Sequence, residues 1–175
     1  MAKEANLIVT FDPTHQQSAL KEIEELLKAV KEKVNVIKAE EGIAELLVGD
    51  AKKAVKQLSA LAAKDIEKFG YTFHWIPIEK WCKATVEDMQ KVIKDLIKEI
   101  KKDERWKMDL KARHVKEKPD EIKLTLKLTE VVDRPKVDLN NPQKIIKVEI
   151  IGNKAGLAVL GADELLNVAK LKQGK

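Results

Sequence analysis

The chain has 175 residues, 44% hydrophobic and 36% charged, with a formal net charge of +5 and a single cysteine, Cys82. This length suffices for one large or two small domains, and with only 4% aromatics the core must be aliphatic. No apolar run approaches the ~20 residues of a membrane span, the first residues hold too little apolar sequence for a secretory signal, and one cysteine excludes a disulfide framework and a cysteine-rich zinc site. Residues 6–11 (NLIVTF) then read as a buried strand. Asp12 is a suitable N-cap and Pro13 fits the first helical position. Ala19, Leu20, Ile23, Leu26, Leu27 and Val30 follow at helical spacing, with Lys21, Glu22, Glu24, Glu25 and Lys28 on the opposite face. Residues 34–39 form a second strand, Glu41-Gly42 a turn, and residues 43–48 its hairpin partner. Asp50 caps a helix whose buried face is marked by Ala54, Val55, Leu58, Leu61, Ala62 and Ile66. Gly70 stands where a left-handed C-terminal residue is wanted, and residues 71–76 (YTFHWI) make a last strand.

The order β-α-β-β-α-β over about 80 residues is the split βαβ arrangement of a ferredoxin-like fold. It predicts two helices on one face of a four-stranded antiparallel sheet. The boundary falls near residues 77–83 (PIEKWCK). Thr85 opens the next unit with a capping box running to Asp88. Met89, Val92, Ile93, Leu96, Ile97 and Ile100 form an apolar stripe, and residues 107–114 alternate as a half-exposed strand with basic residues on one face. Residues 120–132 fit strand and helix alike. Residues 145–151 (IIKVEII) are a strand, 152–156 a glycine-bounded turn, 157–160 a buried strand and 162–171 a short closing helix.

Charge divides the chain. Residues 1–82 hold 12 Lys+Arg against 13 Asp+Glu, and residues 83–175 hold 22 against 16. The excess suggests that the second half meets a polyanion. Residues 98–118 carry nine basic residues and five acids around Trp106. Cations contact phosphate and an exposed aromatic ring can stack an unpaired base; alternatively Trp106 packs under a helix end. A second set is Arg134, Lys136, Asn140, Asn141, Lys144 and Lys147, with Lys154 in the glycine turn. Asn140-Asn141-Pro142 either opens a helical turn whose free N–H groups favour phosphate, or is plain turn chemistry. If the cations act together, Lys107, Lys111, Arg113, Arg134, Lys144 and Lys154 share one face.

No catalytic signature is present. His15, His74 and His114 lack partners at metal-ligand spacing, and His74 reads as a packed or surface side chain. Cys82 has no activating neighbour in sequence, and the seven glycines give no phosphate-cradling loop. The expectation is a binding protein with no enzyme activity, no cofactor and no metal.

The segment Val137-Asp138-Leu139-Asn140-Asn141-Pro142-Gln143-Lys144, followed by Ile146-Lys147-Val148-Glu149-Ile150 and Lys154-Ala155-Gly156-Leu157, resembles the VDLxxP, VEI and glycine core of THUMP domains. The strand ending Lys111-Ala112-Arg113-His114 is similar to the basic strand these domains place before their middle helix. The resemblance covers roughly residues 83–170. It implies an α+β protein with an N-terminal ferredoxin-like domain over 1–82 and a C-terminal THUMP α/β RNA-binding domain over 83–175, and it implies a helix over 120–132. THUMP domains are usually fused to an enzyme that modifies tRNA, and none of those catalytic motifs occurs here. The chain is therefore similar to stand-alone THUMP adaptors that serve N4-acetylcytidine formation. The implied role is a cytoplasmic, non-catalytic adaptor that presents tRNA, by its acceptor stem or 3′ end, to a separate modification enzyme, an acetyltransferase. Arg113, Asn140, Asn141 and Lys144 are the positions carried over. The alternatives are a protein-interaction module that binds no RNA, and a subunit of another tRNA methylation, thiolation or pseudouridylation system.

Overall fold

The run 6–11 forms β1 (Leu7–Phe11), every residue of which is buried. The computed structural model describes residues 4–174 as a mixed α/β protein with two sheets. After β1, the Asp12 carboxylate accepts the Thr14 N–H at 2.9 Å and caps a 3-10 turn that leads into α1 (Gln16–Ala29). The hairpin of β2 (Asn35–Glu40) and β3 (Ile43–Leu47) turns through Glu41 and Gly42 at φ 49° and 83°. That pair of positive φ angles matches the twist of the strands. Only glycine fits the second position, because a Cβ there would meet the Phe11 carbonyl oxygen at 2.6 Å. Asp50 accepts the Lys53 N–H at 3.1 Å and caps α2 (Ala51–Lys64). β4 (Thr72–Pro77) completes the expected β-α-β-β-α-β order. Leu7, Val9, Phe11, Ile23, Leu27 and Leu58 share one core cluster, so both helices cover the same face of the sheet. Trp75 is fully buried there, its indole N–H donating to Thr72 Oγ1 at 3.0 Å.

Glu22 departs from its expected place on the solvent face. It is buried, and its carboxylate accepts the N–H groups of Gly70 (2.7 Å), Tyr71 (3.1 Å) and Thr72 (2.8 Å). The backbone entering β4 has three donors to satisfy, and a carboxylate from the facing helix supplies the acceptors. Gly70 likewise departs from expectation. It is not among the positive-φ glycines, and α2 ends six residues earlier at Lys64.

The second unit begins with β5 (Lys80–Lys83). The Thr85 hydroxyl accepts the Asp88 N–H at 3.1 Å and caps α3 (Val86–Leu96), as the capping-box reading expects. β6 (Trp106–Arg113) follows, with strict alternation of buried and half-buried residues. The ambiguous segment is helical: α4 (Glu121–Thr129) is capped by Asp120, and Leu128 is its buried anchor. β7 (Lys144–Ile151) and β8 (Lys154–Gly161) close the unit. The turn between them is shorter than expected and is made by Gly152, at φ 62°, and Asn153; residues 154–156 already belong to β8. The strand order is β5-β8-β7-β6, with β6 parallel to β7 and the other pairs antiparallel. α3 lies against β5 and β8, and α4 against β6 and α3.

Residues 162–171 do not form one helix closing the second unit. They give a 3-10 turn, a two-residue strand β9 (Leu166–Asn167) and the start of α5 (Val168–Gln173). β9 pairs with β4, so the first sheet has five strands, β2-β3-β1-β4-β9, not four. By contacts, one compact unit is the chain up to Ile78 together with the segment from Asp163, and the other is Glu79–Ala162. The division at 82/83 read from sequence therefore shifts. Lys80–Lys83 pairs with β8, and the final segment buries Leu166 and Val168 in the first core. Among the described residues no helix is long and apolar enough to cross a membrane.

Glu22→Gln should lower the unfolding free energy by roughly 2 kcal/mol, because an amide puts an N–H group where backbone donors already converge. Urea titration checks this against Glu24→Gln, an exposed control expected to stay within about 0.5 kcal/mol of the parent. Equal effects would refute the capping role.

Candidate nucleic-acid interface

The alternation of β6 sends Trp106, Met108, Leu110 and Ala112 into the core under α3 and α4. Lys107, Asp109, Lys111 and Arg113 therefore lie on the opposite face of the sheet. Strand register extends each of them into a cross-strand row. Arg113 is level with Ile151, Lys154 and Lys83, and Lys111 with Glu149, Gly156 and Trp81. Such a row spans about 14 Å over three strand spacings. The Lys154 ammonium sits 4.5 Å from the centre of the Trp81 ring, a cation–π contact. Lys83 is directly opposite Lys154. Like charges so placed repel each other, and a bound anion would relieve that repulsion.

Two of the cations on this face are committed to the fold. Glu149 is fully buried, and its carboxylate meets Arg113 Nε at 2.9 Å and Lys147 Nζ at 3.0 Å. Lys147 also reaches Asp109 Oδ2 at 3.3 Å. Lys147 is buried at 5% exposure and cannot meet a phosphate, contrary to the expectation for it. Arg113 remains about one-fifth exposed, with its Nε held by Glu149. Lys107, Lys111 and Lys83 have no ion-pair partner among the described residues, and Lys83 is exposed.

The other expected residues gather at the opposite end of the sheet, so the six cations do not share one face. Trp106 is 3% exposed and its indole N–H donates to the Arg134 carbonyl at 3.1 Å. It is the packed anchor, and no ring face is open to a base. Arg134 donates to the carbonyls of Ile100 (2.6 Å) and Ile97 (3.0 Å) and also contacts Asp133. It closes the end of α3, where carbonyls lack helical partners, and is unavailable to phosphate. Lys144 donates to the Glu99 carbonyl at 3.2 Å and lies 3.7 Å from Glu104. Register pairs it with Trp106, on the helix side of the sheet. Lys136, Asn140 and Asn141 are exposed.

Asn140-Asn141-Pro142 opens no helix. Instead Asp138 Oδ1 accepts the N–H groups of Asn140 and Asn141 at 3.0 and 2.9 Å, a side-chain turn that leads into β7. Those two bonds, that of Asn141 first, and then the Arg105 charge hold the Asp138 carboxyl below the ordinary value of 3.8. Arg105 also donates to the Asn141 carbonyl at 3.0 Å. Burial, then Asp88, pushes the Cys82 thiol above its ordinary value, which disfavours a reactive thiolate. His74 Nδ1 is 2.9 Å from Thr10 Oγ1.

Sequence reasoning missed Trp81 and Lys83, which it placed in the boundary segment. Their signal was the apposition to Lys154, a pairing across 71 positions that no local pattern carries. It also missed Arg105, which braces the Asp138 turn.

The second unit is thus an α/β module, a four-stranded sheet with helices on one side and, at one end of the other side, Lys83, Lys154 and Trp81. Residues 83–160 match the model of the THUMP domain. The matched segment falls within the second unit. Several solved structures share the fold. PH1313 from Pyrococcus horikoshii Ot3 superposes with a TM-score of 0.67 at 17% identity, over 94% of this chain and 55% of that one. TrmN from Thermus thermophilus gives 0.54 at 17% identity, over 87% and 44%. A possible methylase from Clostridium difficile 630 gives 0.59 at 12% identity, over 90% and 41%. The chain spans about half the length of these structures. No curated protein matches it.

Arg113→Ala should cost about 2 kcal/mol of stability, since it leaves the buried Glu149 with Lys147 alone, whereas Lys107→Ala should change it by less than about 0.5 kcal/mol; urea unfolding separates the two. For Asp138 the lowered carboxyl means that its turn is fully formed above the unfolded value and is lost as pH falls through the folded one. The amide shifts of Asn140 and Asn141 should titrate with a midpoint below 3.8, and a midpoint at or above that value would remove the carboxylate from the turn.

Proposed function

We propose that this chain is a non-catalytic, tRNA-binding adaptor that presents tRNA to a separate modification enzyme, a cytidine N4-acetyltransferase. The observation that carries the reading is the THUMP match over residues 83–160, coincident with a unit whose sheet offers Lys83, Lys111, Lys154 and Trp81 toward one end and Lys107 on the same face toward the other. The similar solved structures include one described as a possible methylase. In this reading the first unit, with strand order β2-β3-β1-β4, is the ferredoxin-like companion of the THUMP domain. The single cysteine suits a reducing cytoplasm.

The interface works through phosphate contact and shape. A-form RNA hides its major-groove base edges, so a row of ammonium groups tracks backbone and reads little sequence in a stem. Trp81, already faced by Lys154 on one side, gives an unpaired 3′ nucleotide a ring to stack on. Lys107 and Lys111 on the edge strand extend the track.

Labelled tRNA titrated with the purified chain at two salt concentrations tests this, with a tRNA lacking its 3′ end alongside. Affinity should fall with salt at a log–log slope near roughly −0.7 to −0.9 per phosphate neutralised. Lys83→Ala and Lys111→Ala should each reduce that slope by about one contact without changing which tRNA is preferred. Loss of the 3′ end should weaken binding, and Trp81→Ala should erase that difference. Absence of binding at low salt would refute the RNA reading. Nucleoside turnover by the chain alone would make it an enzyme.

A further inference from the structure

The helices of the first unit leave a groove between them. Two adjoining hollows of about 470 and 560 Å³ share Ala29, Leu61 and Lys68. Leu26, Ala29, Val30, Ala60 and Leu61 give the groove its aliphatic lining. The two alanines make it: α1 and α2 present larger apolar side chains to the core, and exposed Ala29 and Ala60 leave unfilled space between the helices. Val30 and Leu61 are only partly buried against the core. Tyr71, 43% exposed, lines the second hollow.

Its charge differs from that of its surroundings. The first 82 residues are nearly neutral, yet Lys21, Lys31, Lys64 and Lys68 line this groove. None of the four has an ion-pair partner among the described residues. Of the two acids beside them, Glu22 is spent on the backbone of residues 70–72, which leaves Glu25. Lys31 holds a φ of 61°, a conformation that favours glycine, and its cation lies just past the C-terminus of α1, where the helix dipole favours positive charge.

We propose that this groove receives an amphipathic helix of a partner protein, with aliphatic anchors at i, i+3 or i+4 and i+7 and acidic residues on its flanks. Helix-in-groove recognition uses that spacing. The 14-residue helices that form the walls run about 21 Å, room for three to four turns of a visiting helix. The aliphatic part of the lining receives the apolar anchors of such a helix, which a nucleic-acid backbone lacks, and the flanking carboxylates meet the four ammonium groups. The inference concerns the first unit and does not rest on the RNA-binding reading.

The test uses the full chain and two synthetic fluorescein-labelled helices of 14 residues. One has leucine anchors and glutamate flanks; in the other every glutamate is lysine. Anisotropy gives affinity, and amide shifts of the 15N-labelled chain give location. The acidic helix should bind, shift amides within residues 26–31 and 57–68, and exceed the basic helix by about tenfold or more. The double change Lys64→Glu and Lys68→Glu should remove most of that difference, and Ala60→Trp, which fills the groove from an exposed position, should abolish binding. Equal affinity for the two helices, shifts located elsewhere, or no binding of the acidic helix up to millimolar concentration would each overturn the proposal. So would displacement of the acidic helix by a 12-nucleotide RNA that shifts the same amides, since the groove would then be a phosphate site.

Discussion

Glu149 has no access to water, and the neutralisation of its carboxylate sorts the cations of the second unit into two kinds. It lies on β7, which pairs on one side with parallel β6 and on the other with antiparallel β8. A buried carboxylate is tolerated only when paired. Arg113 from β6 and Lys147 from β7 supply the partners, and Lys147 carries the network on to Asp109. These cations hold the parallel pair in register. Lys83, Lys107 and Lys111, which have no ion-pair partner among the described residues, and Lys154, set over Trp81, take no part in this network. A count of positive charge in the sequence treats both kinds alike, and only burial and distance separate them.

The same economy of acceptors and donors recurs elsewhere in the fold. Glu22 gathers three backbone N–H groups at the start of β4, and Arg134 closes the carbonyls at the end of α3. Asp12, Asp50, Thr85 and Asp120 cap the helical segments. Charged residues make up 36% of this chain, and a share of them serves the backbone and not the solvent. The surfaces open to partners are correspondingly restricted. One is the cationic end of the second sheet. The other is the lysine-lined groove of the first unit.

Much of the fold was legible from local signals. Periods of two and of 3.6, the caps at Asp12, Asp50 and Thr85, and the Glu41-Gly42 turn are properties of neighbouring residues, and they predicted the elements of the first unit and the face alternation of β6. The segment 120–132 was not legible from periodicity, because its leucines satisfy both periods; the Asp120 cap and burial of Leu128 between α3 and β6 decide for a helix. The candidate site was legible in part. Lys107, Lys111, Arg113 and Lys154 were rightly placed on one face, while Trp106, Arg134, Lys144 and Lys147 proved to be structural or to face elsewhere.

The sequence by itself determined the elements, the basic character of the second half and the THUMP resemblance, since each rests on residues close along the chain. The tertiary structure alone decided which cations are free, where the final segment goes and what faces what. β9 finds its partner β4 about 90 positions back, Lys83 meets Lys154 across a sheet, and Glu22 reaches residues 70–72 from another element. These contacts depend on distances in space that carry no period and no motif in the chain, so no pattern of neighbours could have announced them.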